Sequence, residues 1–456
     1  MIRSAALLAL LALPATGSEP LTLAQALRQA GAASLPAEAA RLSLASARED
    51  QARARARYWP ELQIQGGYRA LDERPELLSQ AITLGSLQLG PFSTPPLSVP
   101  PQVFPTEERS SWRYRASLQY LVWDFGRRSQ VLDATRDRVD SVALQGGAEV
   151  RRAQAEAAAR YLTLLDLKAQ RRVLAQRRAA LEGHRAAAQA LFEHGMVARN
   201  DLLRTEVALR QVEDTAQAME AAEASAREAL NVAMGRPPEA DLALPEGLGS
   251  LPDLPWDEAR CRSKAAEANE TVRALEARVR ALEHQASASR NDRLPTVVAE
   301  ASHSYAQNRY LTHPHENALF LGLSWKVFDG GGRSARVHQA EAETSLAGRE
   351  LLEARRQAEA GAAAAYRAYR QALLETETAG QNTRAAEENL RIVNDQYGEG
   401  LVRTTEVLDA ESLLAESRSA HAARRYQAVA RQAALLALLG EDLPAFYDRI
   451  PSSPEP

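Results

Sequence analysis

The feature that most constrains the fold is an internal duplication, in which the second half of the chain repeats the pattern of the first. Residues 123–129, WDFGRRS, correspond to residues 328–334, FDGGGRS, at an offset of 205 positions. The same offset pairs Tyr161 with Tyr366, and it holds without a gap across residues 118–235. A repeat of this length indicates that two copies of one supersecondary unit build a single fold.

The first half carries an insertion that the second lacks. Residues 58–62, YWPEL, resemble residues 293–297, RLPTV, at an offset of 235, so the first half holds about 30 additional residues, the difference between the two offsets. The insertion falls between Tyr68 and Trp112, where seven prolines cluster. Because proline interrupts both helices and strand ladders, residues 71–110 are predicted to form an irregular loop.

Each half is predicted to run helix, strand, loop, strand, helix, turn, helix. The first repeat spans residues 18–235 with a tip turn at 192–197, and the second spans residues 257–440 with a tip turn at 397–402. Between them, residues 236–256 hold five prolines and are predicted to form a linker or an equatorial excursion, and residues 441–456 form a C-terminal tail. Helices are expected at 21–57, 127–191, 198–235, 257–291, 333–395 and 404–439.

The predicted helices carry the pattern of coiled coils. In residues 198–235, apolar positions recur at alternating spacings of three and four, with one acidic interruption at Glu223. That spacing produces a heptad seam, along which helices pack against one another.

Four segments alternate between apolar and polar residues with period two, which predicts four amphipathic strands, two in each half. In residues 111–122, Trp, Tyr, Ala, Leu, Tyr and Val occupy one face, and Ser, Arg, Arg, Ser and Gln occupy the other. Thirteen of the 24 aromatic residues fall in 58–70, 111–125 and 296–329. Aromatic side chains at strand ends suit a membrane barrel, because they settle at the two lipid interfaces. A soluble sandwich with an aromatic core is the alternative.

Four strands are too few to close a barrel within one chain. An open sheet edge in hydrocarbon leaves backbone groups unpaired, at several kcal/mol for each group. Several chains must therefore share one barrel, and two, three or four copies all remain open on these grounds. The polar faces would then line a wet lumen.

The first residues are expected to direct the chain out of the cytoplasm. Residues 1–17 combine Arg3, an apolar run and small residues before Ser18, as in a secretory signal peptide. The single cysteine, Cys261, excludes an intrachain disulfide and a Cys-rich metal site. A formal net charge of −4 argues against a nucleic-acid partner.

Several segments together resemble the TolC-type outer-membrane efflux and secretion channels. They are the opening LTLAQAL at 21–27, the strand-to-helix segments VWDFGRR at 122–128 and VFDGGGR at 327–333, and the turns FEHGMV at 192–197 and YGEGLV at 397–402. The resemblance implies a mainly α-helical fold with a membrane β-barrel. Three copies, a homotrimer, would each contribute four strands to a shared twelve-stranded barrel, continued by a coiled-coil α-helical tunnel across the periplasm.

The resemblance also implies a function and partners. The chain would be the exit duct of a tripartite efflux pump or type I secretion system in the outer membrane of a Gram-negative bacterium. Its tips would dock on a periplasmic adaptor protein that is coupled to an inner-membrane pump or ABC transporter, and its barrel would contact outer-membrane lipid. No cofactor is expected, and the sequence does not indicate whether the cargo is a drug, a metal ion or a polypeptide.

The two tip turns are the expected docking surface. In each turn a glycine precedes an apolar residue, which suits a tight reversal between antiparallel helices because glycine adopts positive φ without strain. A plain helix hairpin explains the same pattern. By resemblance, the adaptor contacts are Gly195, Met196, Val197, Gly400, Leu401 and Val402.

A pore gate is expected beside the second turn. Glu406 and Asp409 are three residues apart, on one helix face, which in most proteins is simply a solvated face. In TolC-type channels two acidic residues at matching positions line the pore, so three copies would form carboxylate rings that favour cations. Tyr397 and Asp201 match two residues that hold such channels closed, whereas the third position, an arginine, is Val402, next to Arg403.

The sequence gives little support to catalysis or metal binding. The eight histidines form no two-His zinc motif, and Gly330–Gly332 lacks the Lys-Ser/Thr of a P-loop. These glycines are interpreted as the bend where barrel becomes tunnel. Two other classes of protein remain as alternatives: a periplasmic coiled-coil adaptor or scaffold without a barrel, and an envelope enzyme, which would need a convergent cluster of titratable residues.

Overall fold

The computed structural model describes residues 20–86, 88–193, 198–249 and 252–448, which fall into two compact units. The first unit comprises the described parts of Met1–Ala47, Val139–Val279 and Ala347–Pro456. The second comprises the described parts of Arg48–Arg138 and Arg280–Leu346. Both halves of the duplicated sequence contribute to each unit. The expected signal peptide at 1–17 lies outside the described residues.

Most of the described chain is helical. The helices of the first half are α1 Leu23–Ala33, α2 Leu35–Ala56, α3 Arg127–Glu193 and α4 Arg199–Ala233. Those of the second half are α5 Glu258–Ala268, α6 Glu270–Asn291, α7 Gly332–Gly398, α8 Thr404–Leu438 and the short α9 Leu443–Tyr447. Within the described residues, no helix has a stretch that is long and apolar enough to cross a membrane.

The duplication is visible in the helix boundaries. Helices α3 and α7 have 67 residues each, and α4 and α8 have 35 each. Helix α3 begins and ends 205 positions before α7, and α4 begins and ends 205 positions before α8, which is the offset found in the sequence. The repeat therefore extends from side-chain pattern to backbone structure.

The helices predicted at 21–57 and 257–291 are each broken in two, so the expectation of single helices was wrong. Ser34 separates α1 from α2, and its hydroxyl accepts a hydrogen bond from the amide of Ala37. Asn269 separates α5 from α6, and its Oδ1 accepts from the amides of Thr271 and Val272. Each polar side chain satisfies amides at the start of the next helix, which stabilises the break.

The main sheet contains the strands β1 Glu61–Ala70, β8 Ser110–Trp123, β9 Thr296–Ala306 and β10 His315–Ser324, whereas β2 to β7 lie in the insertion. The four strands of the sheet lie in the order β1-β8-β9-β10, and all neighbours are antiparallel. Among the described strands, none pairs with the outer edge of β1 or of β10. A single chain therefore leaves this sheet open.

The two faces of the sheet differ in polarity, as the alternation predicted. Residues opposite one another in the ladders share a face. The apolar face includes Leu62, Ile64, Tyr68, Trp112, Tyr114, Leu118, Tyr120, Tyr305, Leu319, Leu321 and Leu323. The polar face includes Glu61, Gln63, Gln65, Arg113, Arg115, Ser117, Gln119, Glu300, Ser302, Ser304 and Glu316. His303, His315 and Asn317 are polar exceptions on the apolar face, and Leu121, Val298 and Phe320 are apolar exceptions on the polar face.

The proline-rich insertion is a β-ribbon, not the irregular loop expected at 71–110. Its six short strands are β2 Glu76–Leu78, β3 Ile82–Leu84, β4 Gln88–Leu89, β5 Phe92–Ser93, β6 Leu97–Val99 and β7 Val103–Pro105. They pair as β2 with β7, β3 with β6 and β4 with β5. The prolines lie between the short ladders or at their ends, where the absence of an amide hydrogen breaks little pairing.

The largest core of the first unit surrounds the middle of α3. Tyr161 is fully buried there, and its hydroxyl donates to the carbonyl oxygen of Leu21 at 2.8 Å. Leu244 and Leu248 from residues 236–256 are buried in the same core. The Asn231 side chain donates to the carbonyl oxygens of Pro238 and Ala240, so this segment is fixed to the helix that precedes it.

Candidate functional site

Two strand-to-helix elbows, residues 124–128 and 329–333, lead from the sheet into the long helices. Backbone φ is positive at Phe125 (53°) and Gly126 (81°) in the first elbow, and at Gly330 (66°) and Gly331 (89°) in the second. The left-handed conformation at two successive residues turns the chain sharply. The glycines interpreted from sequence as a bend do lie at this turn.

An Asp–Arg pair stabilises each elbow. In the first, Asp124 Oδ2 accepts from the amide of Arg128 at 2.9 Å and lies 3.2 Å from Arg128 Nε. In the second, Asp329 Oδ2 makes the same two contacts with Arg333, at 2.9 and 3.1 Å. Each carboxylate therefore satisfies an amide at the helix start and neutralises a guanidinium.

The second tip turn is a Schellman motif centred on Gly400. Gly400 has φ of 74°, and its amide donates to the carbonyl oxygen of Tyr397. The amide of Leu401 donates to the carbonyl oxygen of Gln396 at 2.9 Å. These bonds end α7, and Leu401 then lies 69% exposed at the tip. The turn thus presents an apolar side chain to the outside.

The first tip turn can be described only at its ends. Helix α3 ends at Glu193 and α4 begins at Arg199. The predicted contacts Gly195, Met196 and Val197 lie outside the described residues, so only Gly400, Leu401 and Val402 of the proposed docking set are placed.

Tyr397 spans the second turn. Its hydroxyl lies 3.3 Å from Oγ1 of Thr404, the buried first residue of α8, and its ring lies 5.0 Å from the imidazole of His184 on α3. Burial lowers the pKa of His184, which favours the neutral ring. Tyr397 therefore connects three helices at the tip.

Glu406 and Asp409 lie on an exposed stripe of α8 that continues through Leu413 and Glu416. The opposite side of the helix buries Val407, Ala410 and Leu414. Both carboxylates therefore point away from the packed side of their own chain.

The other expected gate residues are not gathered around this stripe. Asp201 is half-buried in the first turn of α4, and within the described residues no hydrogen bond or ion pair joins it to Tyr397. Arg403, which flanks the position where such channels carry an arginine, is exposed at the N-cap of α8.

Sequence reasoning missed one acidic residue near the expected gate. Glu411 is half-buried on α8, and this burial raises its pKa, whereas the positive charges of Arg177 and Arg418 lower it by less. Arg177 on α3 donates to the hydroxyl of Ser412 at 2.5 Å, and Arg418 pairs with Glu387 at 2.8 Å. The sequence spacing could have indicated this residue. Glu411 lies four residues after Val407 and three before Leu414, so it occupies a position of the apolar helix face where an acidic residue is unusual.

Potential metal ligands do not gather in the described part of the chain. It holds no group of three or more His, Cys, Asp or Glu side chains that could bind a metal ion. Its histidines are spread over several helices and strands.

Comparisons with known proteins agree with this architecture. Residues 261–441 match the family model of the outer membrane efflux proteins. Among curated protein sequences, none matches the chain significantly.

Solved structures resemble the chain over nearly its whole length. CusC, described in connection with transmembrane channel formation, superposes with a TM-score of 0.74 at 15% identity, over 94% of this chain and 96% of that one. The open-state MtrE outer membrane channel of Neisseria gonorrhoeae gives 0.72 at 18%, over 92% and 89%. The outer membrane protein VceC from Vibrio cholerae gives 0.70 at 16%, over 92% and 96%.

These matches confirm the predicted fold class and the resemblance. The fold is mostly helical, with a four-stranded sheet that the described residues of one chain do not close, and it superposes on the matched channels. The matched family and structures are channels and not enzymes. Residues 261–441 therefore carry the signature of the outer membrane efflux protein family, and nearly the whole length of the chain has the fold of the matched channels.

Proposed function

We propose that this protein is a passive exit duct in the outer membrane of a Gram-negative bacterium. The observation that carries the proposal is the open four-stranded sheet, with an apolar face, a polar face and two unpaired edges. In lipid, the apolar face contacts acyl chains, and the polar face lines a lumen. The unpaired edges require further strands, because hydrocarbon cannot satisfy backbone amides and carbonyls.

Further copies of the same chain supply those strands. The strand directions alternate across the sheet, so β10 of one copy and β1 of the next meet antiparallel. Three copies give a twelve-stranded barrel, within the size range of bacterial barrels. The functional form is therefore a homotrimer, exported by the signal peptide at residues 1–17.

The duct works with partners that supply energy and select the cargo. The tips, Gly195, Met196 and Val197 in one turn and Gly400, Leu401 and Val402 in the other, dock on a periplasmic adaptor protein. The exposed Leu401 supports this role, because an apolar side chain at a turn is a natural interface contact. The adaptor links the duct to an inner-membrane pump or ABC transporter, in an efflux pump or a type I secretion system.

The exposed carboxylates near the tip form the gate. Three copies of Glu406 and three of Asp409 give two carboxylate rings one helical turn apart. Rings of this kind attract cations and bind multivalent ones strongly enough to obstruct flow. Tyr397 and Asp201 flank the gate and help to hold it closed.

Planar-bilayer recording of the purified oligomer tests both the proposed duct and the proposed carboxylate gate. The double variant Glu406→Ala/Asp409→Ala is expected to conduct more than the wild type and to lose block by divalent and trivalent cations. The matched control is Asp214→Ala/Glu220→Ala, which removes two exposed carboxylates from α4 and is expected to conduct like the wild type. Unchanged conductance and block in the first variant would refute the gate, and absence of pores from the wild type would refute the duct.

A further inference from the structure

The β-ribbon formed by β2–β7, residues 76–105, has an unusual composition. A quarter of the residues of the chain are charged, yet residues 77–106 contain no Asp, Glu, Lys, Arg or His. The ribbon is nevertheless rich in leucine, valine and phenylalanine. Surface charge opposes association between proteins, so an exposed apolar segment without charged side chains tends to associate with other apolar surfaces.

The apolar side chains of the ribbon are exposed in the single chain. More than half of the surface of each of the following is accessible: Leu77, Leu78, Ile82, Leu84, Phe92, Leu97, Val103 and Phe104. A two-stranded ribbon is only marginally stable in water, since one ladder gives it no second layer. Both observations indicate a surface that is covered in the functional assembly.

One stretch of the ribbon separates its two faces clearly. In the β3–β6 ladder, Ile82 is opposite Val99, and Leu84 is opposite Leu97. Between these pairs, Thr83 is opposite Ser98 and points to the other side. The ladder therefore has one fully apolar face and one hydroxyl face.

The ribbon continues the main sheet at the end away from the helices. The amide of Leu71 donates to the carbonyl oxygen of Arg109 at 2.7 Å, which extends the β1–β8 ladder by one pair. The amides of Thr106 and Ser79 donate to the carbonyl oxygens of Pro75 and Gln102 across the ribbon. The ribbon thus begins beyond Tyr68 and Trp112, the aromatic pair at this end of the apolar face, 5.2 Å apart between ring centroids.

We propose that the three ribbons of the trimer pack on one another through their apolar faces, beyond the outer end of the barrel. This inference rests on the proposed function, which supplies the sister copies. Symmetry brings the same residues of each copy toward one axis, where identical charges would repel, and residues 77–106 carry no charge. An apolar surface is complementary to itself, so identical copies can share it.

Two features select sister copies over other occupants. Outer-leaflet headgroups are charged, and residues 77–106 offer neither a cation nor an anion to bind them. The ribbon also lies past the aromatic pair that marks the lipid interface, so acyl chains do not reach it. The prolines at 91, 95, 96, 100, 101 and 105 disfavour strand addition at its edges, which leaves the faces as the contact surface.

Single-cysteine cross-linking in outer-membrane preparations tests the proposal. In a Cys261→Ala background, Leu84→Cys and Leu97→Cys place a thiol on the apolar face, and Thr83→Cys and Ser98→Cys are matched controls on adjacent residues of the same strands. A short bismaleimide joins thiols of neighbouring copies. The apolar-face variants are expected to give at least fivefold more cross-linked dimer on denaturing gels than the controls.

The outcomes separate this inference from the proposed function. Equal or absent cross-linking on the two faces, in a sample whose trimer persists on an unheated gel, overturns the ribbon contact and leaves the duct intact. Labelling of the apolar-face positions by a photoreactive phospholipid in place of cross-linking also overturns it, in favour of lipid. Absence of any trimer refutes the proposed function and the ribbon contact together.

Discussion

Gly235 lies against the carbonyl oxygen of Ala33 so closely that a Cβ atom on the glycine would be 2.0 Å from that oxygen. The duplicated pair, Gly440 and Ala268, shows the same relationship at 2.7 Å. Both glycines have positive φ, 73° and 72°. Each glycine therefore ends a helix. The lack of a side chain also lets it contact the broken helix pair of the same half, at the residue just before the break at Ser34 or Asn269.

Gly235→Ala is expected to destabilise the first unit severely. The left-handed conformation costs a non-glycine residue about 1–2 kcal/mol, and relieving the backbone clash costs about 1–3 kcal/mol more. Gly440→Ala should cost less, because the contact there is longer. The measurement is thermal unfolding of the detergent-solubilised protein, followed by the circular dichroism of its helices.

Gly361→Ala is the control for this pair. Gly361 lies within α7, and a Cβ there would meet nothing within 4 Å. Alanine in a helix interior is more stable than glycine by about 0.5–1 kcal/mol, so this variant should unfold at the same or a higher temperature. Equal effects at positions 235 and 361 would contradict the close approach.

The elbow carboxylates are expected to hold the first turns of the long helices. Asp124 and Arg128 are both nearly buried, so Asp124→Ala removes a helix cap and leaves a guanidinium without its carboxylate partner. We expect a local loss of about 2–4 kcal/mol. Hydrogen exchange in peptides covering residues 125–135 should become faster by more than tenfold. In Asp133→Ala, which breaks an exposed ion pair with Arg136 on the same helix, exchange should stay near the wild-type rate.

Glu411 gives a prediction about pH. Its folded pKa is raised, first by burial, so folding favours the protonated form. The stability that Glu411 contributes is then present below its ordinary pKa and is lost as pH rises through the raised value. Glu411→Gln should therefore melt at a higher temperature than the wild type at pH 7, and the difference should shrink toward pH 4. Glu416→Gln, at an exposed position about three turns from Glu406 on the same helix, should show no such trend.

The sequence predicted the parts of the fold that depend on periodicity. The 205-residue offset recurs in the helix boundaries, and the alternation at 111–122 assigned Trp112 and Arg113 to opposite faces. It did not predict the breaks at Ser34 and Asn269, because each break depends on one polar side chain within an otherwise helical pattern. The sequence also did not predict the ribbon. Its ladders have only two or three pairs each, and the prolines between them interrupt the alternation of apolar and polar residues.

The site was less accessible from sequence than the fold. Spacing alone placed Glu406 and Asp409 on one face, and the structure shows that face exposed. The contact of Tyr397 with His184 joins positions far apart in the chain, so no local pattern indicates it. The pore-facing direction of the carboxylates and the docking role of the tips depend on other chains and stay predictions.

Gly400→Pro is expected to impair export while leaving the oligomer in the outer membrane. Proline fixes φ near −65°, whereas Gly400 needs 74°, and proline also lacks the amide that donates to the carbonyl oxygen of Tyr397. The Schellman turn is lost, which displaces Leu401 and the start of α8 without touching the sheet.

Gly398→Ala is the matched control, because Gly398 is the last residue of α7 and a Cβ there meets nothing within 4 Å. Export is measured as the loss of accumulation of a fluorescent cargo in cells that carry the cognate adaptor and pump, and trimer content is measured on unheated gels. Normal export by Gly400→Pro at wild-type trimer levels would refute the docking role of this turn, and loss of the trimer would show that the turn serves assembly.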